Sequence, residues 1–150
     1  MSRQELMLYQ VDKSLSGCEF PQKPAAGWLS TVRQALGMTA VAAGARADIS
    51  GTAWADAESR EAAGTISLKA LADMADALGC DVGYALIPRG PLMGLVEERA
   101  REIAQSETER MRKTMALEGQ EPAADFLKMK SKSRERELIG SDNWAQLWRQ

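Results

Sequence analysis

The chain has 150 residues, of which 45% are hydrophobic, carries a net charge of −2 and contains no histidine. This length is enough for one domain with appendages and a real core. The missing histidine excludes the commonest general base, the serine–histidine and cysteine–histidine nucleophile pairs and most zinc sites. Cys18 and Cys80 lack metal-ligand spacing, and the sequence shows neither a phosphate-cradling glycine loop nor paired carboxylates in an apolar setting. We therefore expect no enzyme, metal or cofactor.

Targeting signals are absent as well. The sequence shows no signal peptide and no apolar run approaching the ~18 residues that indicate a membrane-spanning helix. The expected location is the reducing cytoplasm, with no membrane partner.

Residues 1–26 are predicted to form an N-terminal helix and a linker. Ser2 and Glu5 have the spacing of a capping box, and the helix is expected to continue to about Ser16. Pro21 and Pro24 then favour an extended connection because each proline removes a backbone donor and restricts its neighbours.

Residues 27–88 are predicted to form a lambda-repressor-like helix-turn-helix domain that ends in one short β-strand. Thr39, Ser50 and Ser67 stand where N-cap residues are preferred, each before a short helical segment. Two short helices separated by a tight turn and flanked by two packing helices are typical of this domain. The predicted fold class is therefore mainly α, with one strand and a long C-terminal helical extension.

In such a domain the third helix would enter the major groove of DNA. Ser50 and Thr52 are the side chains expected near base edges, and Arg33, Arg46 and Arg60 are the expected phosphate contacts. The segment carries seven acidic and four basic residues, a net charge of −3. That balance disfavours strong DNA binding unless the basic tail contributes, because phosphate neutralisation supplies most of the affinity. Gly44 and Gly51 also cost a helix about 1 kcal/mol each relative to alanine.

Residues 81–87 are predicted to be the strand. A single strand has no place for its ladder hydrogen bonds, so we expect it to pair with a second copy and form a homodimer. The alternative is an extended segment packed on the helices.

Residues 91–119 are predicted to form one long helix. Apolar residues recur with helical period at Leu92, Leu95, Val96, Ile103, Met111 and Met115. Gly119 is expected to end the helix in the left-handed conformation. Glu118 then lies in the final turn against the negative end of the helix dipole, where a cation would be more favourable. An exposed, solvated glutamate would pay only a small penalty, so the position alone does not prove a role.

Residues 120–150 are predicted to be a helical tail. It holds the basic concentration of the chain, namely Lys128, Lys130, Lys132, Arg134 and Arg136. These side chains either contact phosphates or form a solvated face. Trp144, Leu147 and Trp148 carry too much apolar surface to remain in water, so they are expected to dock on this protein or on another.

The sequence resembles the mobile mystery protein A family, small bacterial helix-turn-helix proteins encoded beside a Fic-domain protein. The residues that carry the resemblance are Gln10–Leu15, Gly27–Leu29, Arg33–Thr39, Gly64–Leu68, Ala77–Cys80, Tyr84–Pro88 and Thr114–Glu118. The chain departs from related regulators at Gly44, Asp48, Gly51 and Asp56, which weakens the expectation of DNA recognition more than that of the fold.

Thr114, Glu118 and Gly119 also fit the inhibitory pattern of Fic antitoxins, a serine or threonine, three residues, a glutamate, then glycine or asparagine. The resemblance implies a Fic-domain AMP-transferase toxin, encoded by a neighbouring gene, as the partner. It implies that Glu118 pairs with the active-site arginine that would otherwise hold the γ-phosphate of ATP. We expect Met111, Met115 and Leu117 to contact the toxin and Thr114 to bond locally in the last turn. The expected function is an antitoxin, and repression of its own operon through operator DNA is compatible with that role; the alternative is a helix-turn-helix transcriptional regulator without enzyme inhibition.

Overall fold

The computed structural model describes residues 1–149, which form seven α-helices and one 3₁₀-helix. The helices are α1 (Arg3–Leu15), α2 (Trp28–Ala35), α3 (Ala40–Arg46), α4 (Gly51–Ala63), α5 (Leu68–Ala77), α6 (Leu92–Leu117), α7 (Ala124–Gly140) and the 3₁₀-helix Trp144–Trp148. They fall into two compact units. We call residues 19–85 the central unit, and residues 1–18 together with the chain from Leu86 onward the terminal unit.

The predicted β-strand at residues 81–87 is wrong. This segment has no regular secondary structure, and no strand is present anywhere in residues 1–149. A strand needs a ladder partner, and the rest of the described chain is helix, turn or irregular backbone. Tyr84 and Leu86 are 76% and 81% exposed, so this apolar run is not packed closely on the helices either. The homodimer stays a prediction, but the strand that was expected to pair between the two copies is absent from residues 1–149.

The central unit begins its helices where the sequence predicts. The hydroxyls of Thr39, Ser50 and Ser67 accept hydrogen bonds from the backbone N–H three residues later, at 3.0–3.1 Å. The predicted N-caps of α3, α4 and α5 are therefore confirmed. The core that these helices enclose consists of Leu29, Ala43, Trp54, Ala57, Met74, Ala77 and Leu78.

Helices α3 and α4 pack with unusually close backbones at two glycines. A Cβ on Gly44 would lie 2.8 Å from the carbonyl oxygen of Ile49, and one on Gly51 would lie 2.8 Å from Cγ2 of Val41. Real Cβ atoms essentially never approach so closely. Both glycines, which are unfavourable by helix propensity, are thus required by the approach of the two helices. In the turn between them Asp48 adopts φ 58°, a left-handed conformation that aspartate tolerates better than most residues.

A buried carboxylate holds the beginning of α2. The N-cap of this helix is Gly27, which has no side chain to accept a hydrogen bond. Glu61, from α4 and 5% exposed, accepts instead from the N–H groups of Trp28 at 3.0 Å and Leu29 at 2.7 Å. A Cβ on Gly27 would lie 2.8 Å from this carboxylate, so the glycine leaves the space that the cap needs.

The terminal unit is built on the packing of α6 against α7. Ala100 and Ala104 of α6 are 0% exposed, and their small side chains allow close approach of the partner helix. The core joins Val96 and Ala100 to Leu138, Trp144 and Leu147. Of the predicted apolar stripe, Val96 is buried, whereas Leu95 is 55% exposed and does not belong to the buried face.

Side chains of α1 hold the beginnings of two helices in this unit. The N-cap of α6 is Pro91, which makes no side-chain cap bond; instead, both carboxylate oxygens of Asp12 accept from the N–H of Leu92 at 3.0 Å. The capping box of Ser2 and Glu5 at the start of α1 is confirmed. Among the described residues, no helix combines the length and apolar character needed to cross a bilayer.

Candidate functional site

The candidate site is the carboxyl end of α6. The helix runs to Leu117, with Glu118 as its C-cap, and Gly119 follows at φ 77°. The N–H of Gly119 donates to the carbonyl of Ala116 at 3.1 Å, and that of Gln120 donates to Met115 at 2.8 Å. This pair of bonds is the Schellman motif, in which the left-handed glycine lets the chain reverse and satisfy the last carbonyls. The predicted stop at Gly119 is confirmed, and the motif fixes the backbone at Glu118.

Glu118 is exposed and has no cationic neighbour at the helix end. The last turn of α6 contains no basic residue, and no ion pair or side-chain hydrogen bond of Glu118 occurs within residues 1–149. The nearby cation Arg112 is engaged elsewhere, since it pairs with Glu109 at 2.8 Å and with Glu121 at 3.4 Å. The hydrogen bond to Glu109 holds the pKa of Arg112 above its ordinary value. The Glu118 carboxylate is therefore available to an incoming cation.

The other predicted residues of this site differ in availability. Leu117 is 89% exposed, next to Glu118. Met111 and Met115 are half-buried, so part of their surface is already used inside the terminal unit. The hydroxyl of Thr114 donates to the carbonyl of Arg110 at 3.0 Å, one turn back along the helix. It bonds locally, but the last turn itself is closed by the backbone of Gly119 and Gln120.

Arg33, a predicted DNA contact, is held inside the central unit. Its guanidinium pairs with Glu58 through Nε and Nη2, and Nη1 donates to the carbonyl of Met38 at 2.9 Å. The side chain is only 16% exposed. The hydrogen bond to Glu58 raises the pKa of Arg33. Removing this guanidinium from its carboxylate would leave Glu58 beside the buried Trp54, whose indole N–H also donates to Glu58, at 2.6 Å.

The remaining predicted DNA contacts lie on α3 and α4. Arg46 donates from Nε to the carbonyl of Ala77 at 2.7 Å, and the hydroxyl of Ser50 is used as a helix cap. Arg60 forms an exposed ion pair with Asp56 at 3.2 Å. Thr52 is exposed near the start of α4. Arg33, Arg46 and Ser50 thus have internal hydrogen-bond partners, although Arg46 and Ser50 remain exposed, as do Thr52 and Arg60.

Sequence reasoning missed two acidic side chains that hold the ends of helices, Asp12 and Glu61. Each accepts at the start of a helix whose own N-cap, Pro91 or Gly27, cannot provide a side-chain acceptor. The lack of a side-chain acceptor at Gly27 and Pro91 is visible in the sequence and indicates that a residue elsewhere in the chain must accept from these helix N-termini. It does not reveal which carboxylate supplies it.

Comparisons of the chain with protein-family models, with curated proteins and with solved structures found no match.

Proposed function

We propose that this protein is an antitoxin that binds a Fic-domain AMP-transferase and prevents productive ATP binding through Glu118. The observation that carries the proposal is an exposed carboxylate at the end of a 26-residue helix, with no ion-pair partner among the described residues and no base in the last helical turn. The resemblance to the mobile mystery protein A family and the Thr114–Gly119 pattern supply the identity of the partner; both remain part of the proposal.

The electrostatics of the helix end favour such a partner. The carboxyl end of a helix carries a partial negative charge, and Glu118 adds a full one. In isolation this arrangement is mildly unfavourable. An arginine that enters from a partner relieves both charges at once, and a guanidinium–carboxylate pair becomes stronger when the complex excludes water. Leu117, 89% exposed, provides apolar surface beside the charge for a partner groove to cover.

The proposed inhibition acts on substrate positioning. In AMP transfer a hydroxyl oxygen attacks the α-phosphorus of ATP and pyrophosphate leaves. The attacking oxygen and the leaving oxygen must be in line, so the reaction depends on how the β- and γ-phosphates are held. If Glu118 occupies the arginine that holds the γ-phosphate, ATP cannot adopt that alignment. The Schellman motif contributes by fixing the backbone from which the carboxylate extends.

The test is an assay of AMP transfer by the Fic-domain protein encoded beside this chain's gene. The enzyme is assayed alone, with this protein, and with its Glu118→Gly and Glu118→Gln forms. We expect the unchanged protein to inhibit and both variants to release most of the activity while complex formation, measured by calorimetry, persists. Glu118→Gln keeps the shape of the side chain and removes only the charge.

Glu121→Gln is the matched control. Glu121 is also an exposed carboxylate near the end of α6, but it already pairs with Arg112. This variant should inhibit as well as the unchanged protein. Equal inhibition by Glu118→Gln and the unchanged protein would contradict the mechanism, and absence of a complex would contradict the partner.

The alternative, a helix-turn-helix regulator that binds DNA without inhibiting an enzyme, receives less support. It would read DNA through α4, yet Arg33, Arg46 and Ser50 already have internal hydrogen-bond partners. Sequence-specific binding through this helix should be lost on Thr52→Ala and weakened by Arg60→Gln, as measured with fragments of the protein's own promoter.

A further inference from the structure

A ridge of three basic side chains runs along α7. Lys128, Lys132 and Arg136 are spaced four residues apart and all are exposed, so they lie on one side of the helix. They line one shallow groove together with Asp125, Met129 and Ser133, so one carboxylate lies at the beginning of the row of three bases. We call these three side chains the basic ridge.

The basic ridge is not neutralised by the protein itself. No ion pair within residues 1–149 involves any of its three members. Some other bases of the terminal unit are paired: Arg134 on the same helix contacts both Glu107 and Glu137. Arg101 contacts Glu135, and Arg99 contacts Glu102. A protein with a net charge of −2 therefore presents three unpaired cations in a row on one helix.

The surroundings of the ridge favour phosphate over a membrane. The apolar side of α7 is already used, because Leu138 is 2% exposed in the core. Phe126 and Met129 are the large apolar residues of this helix that remain exposed. A helix that lies in a membrane interface needs a continuous apolar face opposite its charges. Here that face is occupied by α6.

The composition of the ridge also favours phosphate over an acidic protein. Lysine is depleted at protein–protein interfaces, where aromatic residues and arginine are enriched. Lysine is, by contrast, a common phosphate contact that acts as a point charge. Eight residues of α-helix rise about 12 Å, comparable to the rise along a duplex axis over three or four phosphates of one strand, at ~3.4 Å each.

We propose that the basic ridge of α7 binds the phosphate backbone of nucleic acid, without reading its sequence. This site lies on α7, separate from the predicted DNA contacts of α2, α3 and α4, and it does not depend on the proposed inhibition through Glu118. Its affinity should be modest and strongly dependent on salt, because it comes from releasing the counterions of about three phosphates.

The experiment measures fluorescence anisotropy of a labelled 20-base-pair DNA duplex and of a single-stranded RNA 20-mer, each titrated with the full chain. For the duplex, the logarithm of the affinity should fall against the logarithm of the salt concentration with a slope of about −2.7. Raising salt from about 50 to about 200 mM should then weaken binding about 40-fold. The duplex and the RNA arms identify which nucleic acid is preferred, and duplexes of different sequence should bind alike.

Two variants of equal net charge separate the ridge from the charge of the whole molecule. Lys128→Gln, Lys132→Gln and Arg136→Gln together should weaken duplex binding more than about tenfold and bring the salt slope close to zero. Arg3→Gln, Lys13→Gln and Lys69→Gln together change three exposed bases elsewhere and should leave the affinity within about twofold. Helical content measured by circular dichroism should be the same in both variants and the unchanged protein.

Three results would overturn the proposal. They are no binding of the duplex or the RNA at about 50 mM salt, an equal loss of affinity in both triple variants, and unchanged affinity for both nucleic acids in the variant that lacks the basic ridge. Labelled poly-glutamate serves as the probe for an acidic protein surface. If it binds through the ridge and nucleic acid does not, the ridge is an acidic-protein site and the proposal is wrong.

Discussion

Some acidic side chains of this protein accept hydrogen bonds from distant residues, whereas others are exposed without a hydrogen-bond donor. Asp12, Glu58 and Glu61 each accept hydrogen bonds from groups far away in the sequence and stabilise the packing of helices. Glu118 accepts no side-chain hydrogen bond within residues 1–149 and is exposed. A carboxylate that holds a helix end is explained by the fold, whereas one that worsens the charge at a helix end is not. This placement supports the proposal that Glu118 acts on a partner, although Asp76 in the last turn of α5 is also an exposed carboxylate at a helix end.

Glu61→Ala is expected to destabilise the central unit by about 1–3 kcal/mol. The substitution leaves the N–H groups of Trp28 and Leu29 without their acceptor, and a buried donor without a partner costs about that much. Urea unfolding measures the free energy. Asp56→Ala, which removes an exposed ion pair with Arg60, is the control and should change stability by less than about 1 kcal/mol. Similar losses in the two variants would contradict the capping role of Glu61.

Glu58 is expected to make the central unit sensitive to acid. Partial burial raises the pKa of Glu58, but hydrogen bonds from Arg33 and Trp54 outweigh this effect and leave the pKa below its ordinary value. A lowered folded-state pKa stabilises the fold above the unfolded-state pKa of about 4.3, and this stabilisation is lost as the pH falls through the folded-state pKa. Glu58→Gln should therefore be less stable than the unchanged protein at pH 7, and the gap should shrink below about pH 4.3. Urea midpoints across pH 7 to pH 3 test this, and a constant gap would refute it.

The packing of α3 against α4 depends on two glycines that have no Cβ atom, Gly44 and Gly51. A Cβ on Gly44 would collide with the carbonyl oxygens of Ile49 and Ser50, and a Cβ on Gly51 would crowd Cγ2 of Val41 at 2.8 Å and its backbone at 3.1 Å. In the turn between the two helices Asp48 adopts a left-handed backbone conformation. Helix propensity disfavours these glycines, and the contact between two elements overrides it. The same contact holds Thr52 and Arg60 of α4 on the side that faces solvent.

Gly44→Ala and Gly94→Ala should change stability in opposite directions. Both glycines lie within helices, where alanine is favoured by about 0.5–1 kcal/mol. A Cβ at Gly94 would meet no atom within 4 Å, so Gly94→Ala should stabilise the protein. At Gly44 the Cβ would collide with backbone of the turn, and the substitution should destabilise it by about 1–3 kcal/mol. Thermal denaturation of both variants measures the signs, and stabilisation by Gly44→Ala would show that the helices can separate without cost.

Each of the two units has a core of its own, and the last described residues of the chain belong to one of them. Trp144 and Leu147 are buried with Val96 and Leu138, and Arg99 donates to the carbonyl of Leu147 at 2.7 Å. The C-terminal segment is therefore part of the folded terminal unit in the isolated protein. Its apolar residues pack on this protein, while the basic ridge of α7 and the end of α6 remain exposed for partners.

Leu147→Ala is expected to cost the terminal unit about 2–5 kcal/mol, because it removes a fully buried side chain from the core. Trp148→Ala is the control next to it. Trp148 is 49% exposed, so its removal should cost clearly less although the side chain is larger. Urea unfolding followed by circular dichroism measures both. Equal losses would mean that the 3₁₀-helix is not anchored through Leu147.

Local rules fixed where helices begin and end. Serine and threonine caps, the capping box at Ser2 and the glycine at position 119 act within a few residues, so the sequence predicted them correctly. The candidate site was predictable to the same extent, because the position of Glu118 at the end of α6 follows from the helix period and from Gly119. The role of that carboxylate stays a prediction.

Contacts between distant residues were decided only when the helices packed. The apolar composition of residues 81–87 predicts a strand, but a strand requires a neighbouring strand and the fold provides none. Arg33 carries the charge of a phosphate contact, yet Glu58 lies close enough in space to engage it. Glu61 caps a helix more than thirty positions away, a pairing that no local pattern encodes. Local propensity acts through neighbours along the chain, whereas hydrogen-bond partners and burial depend on which helices meet in three dimensions.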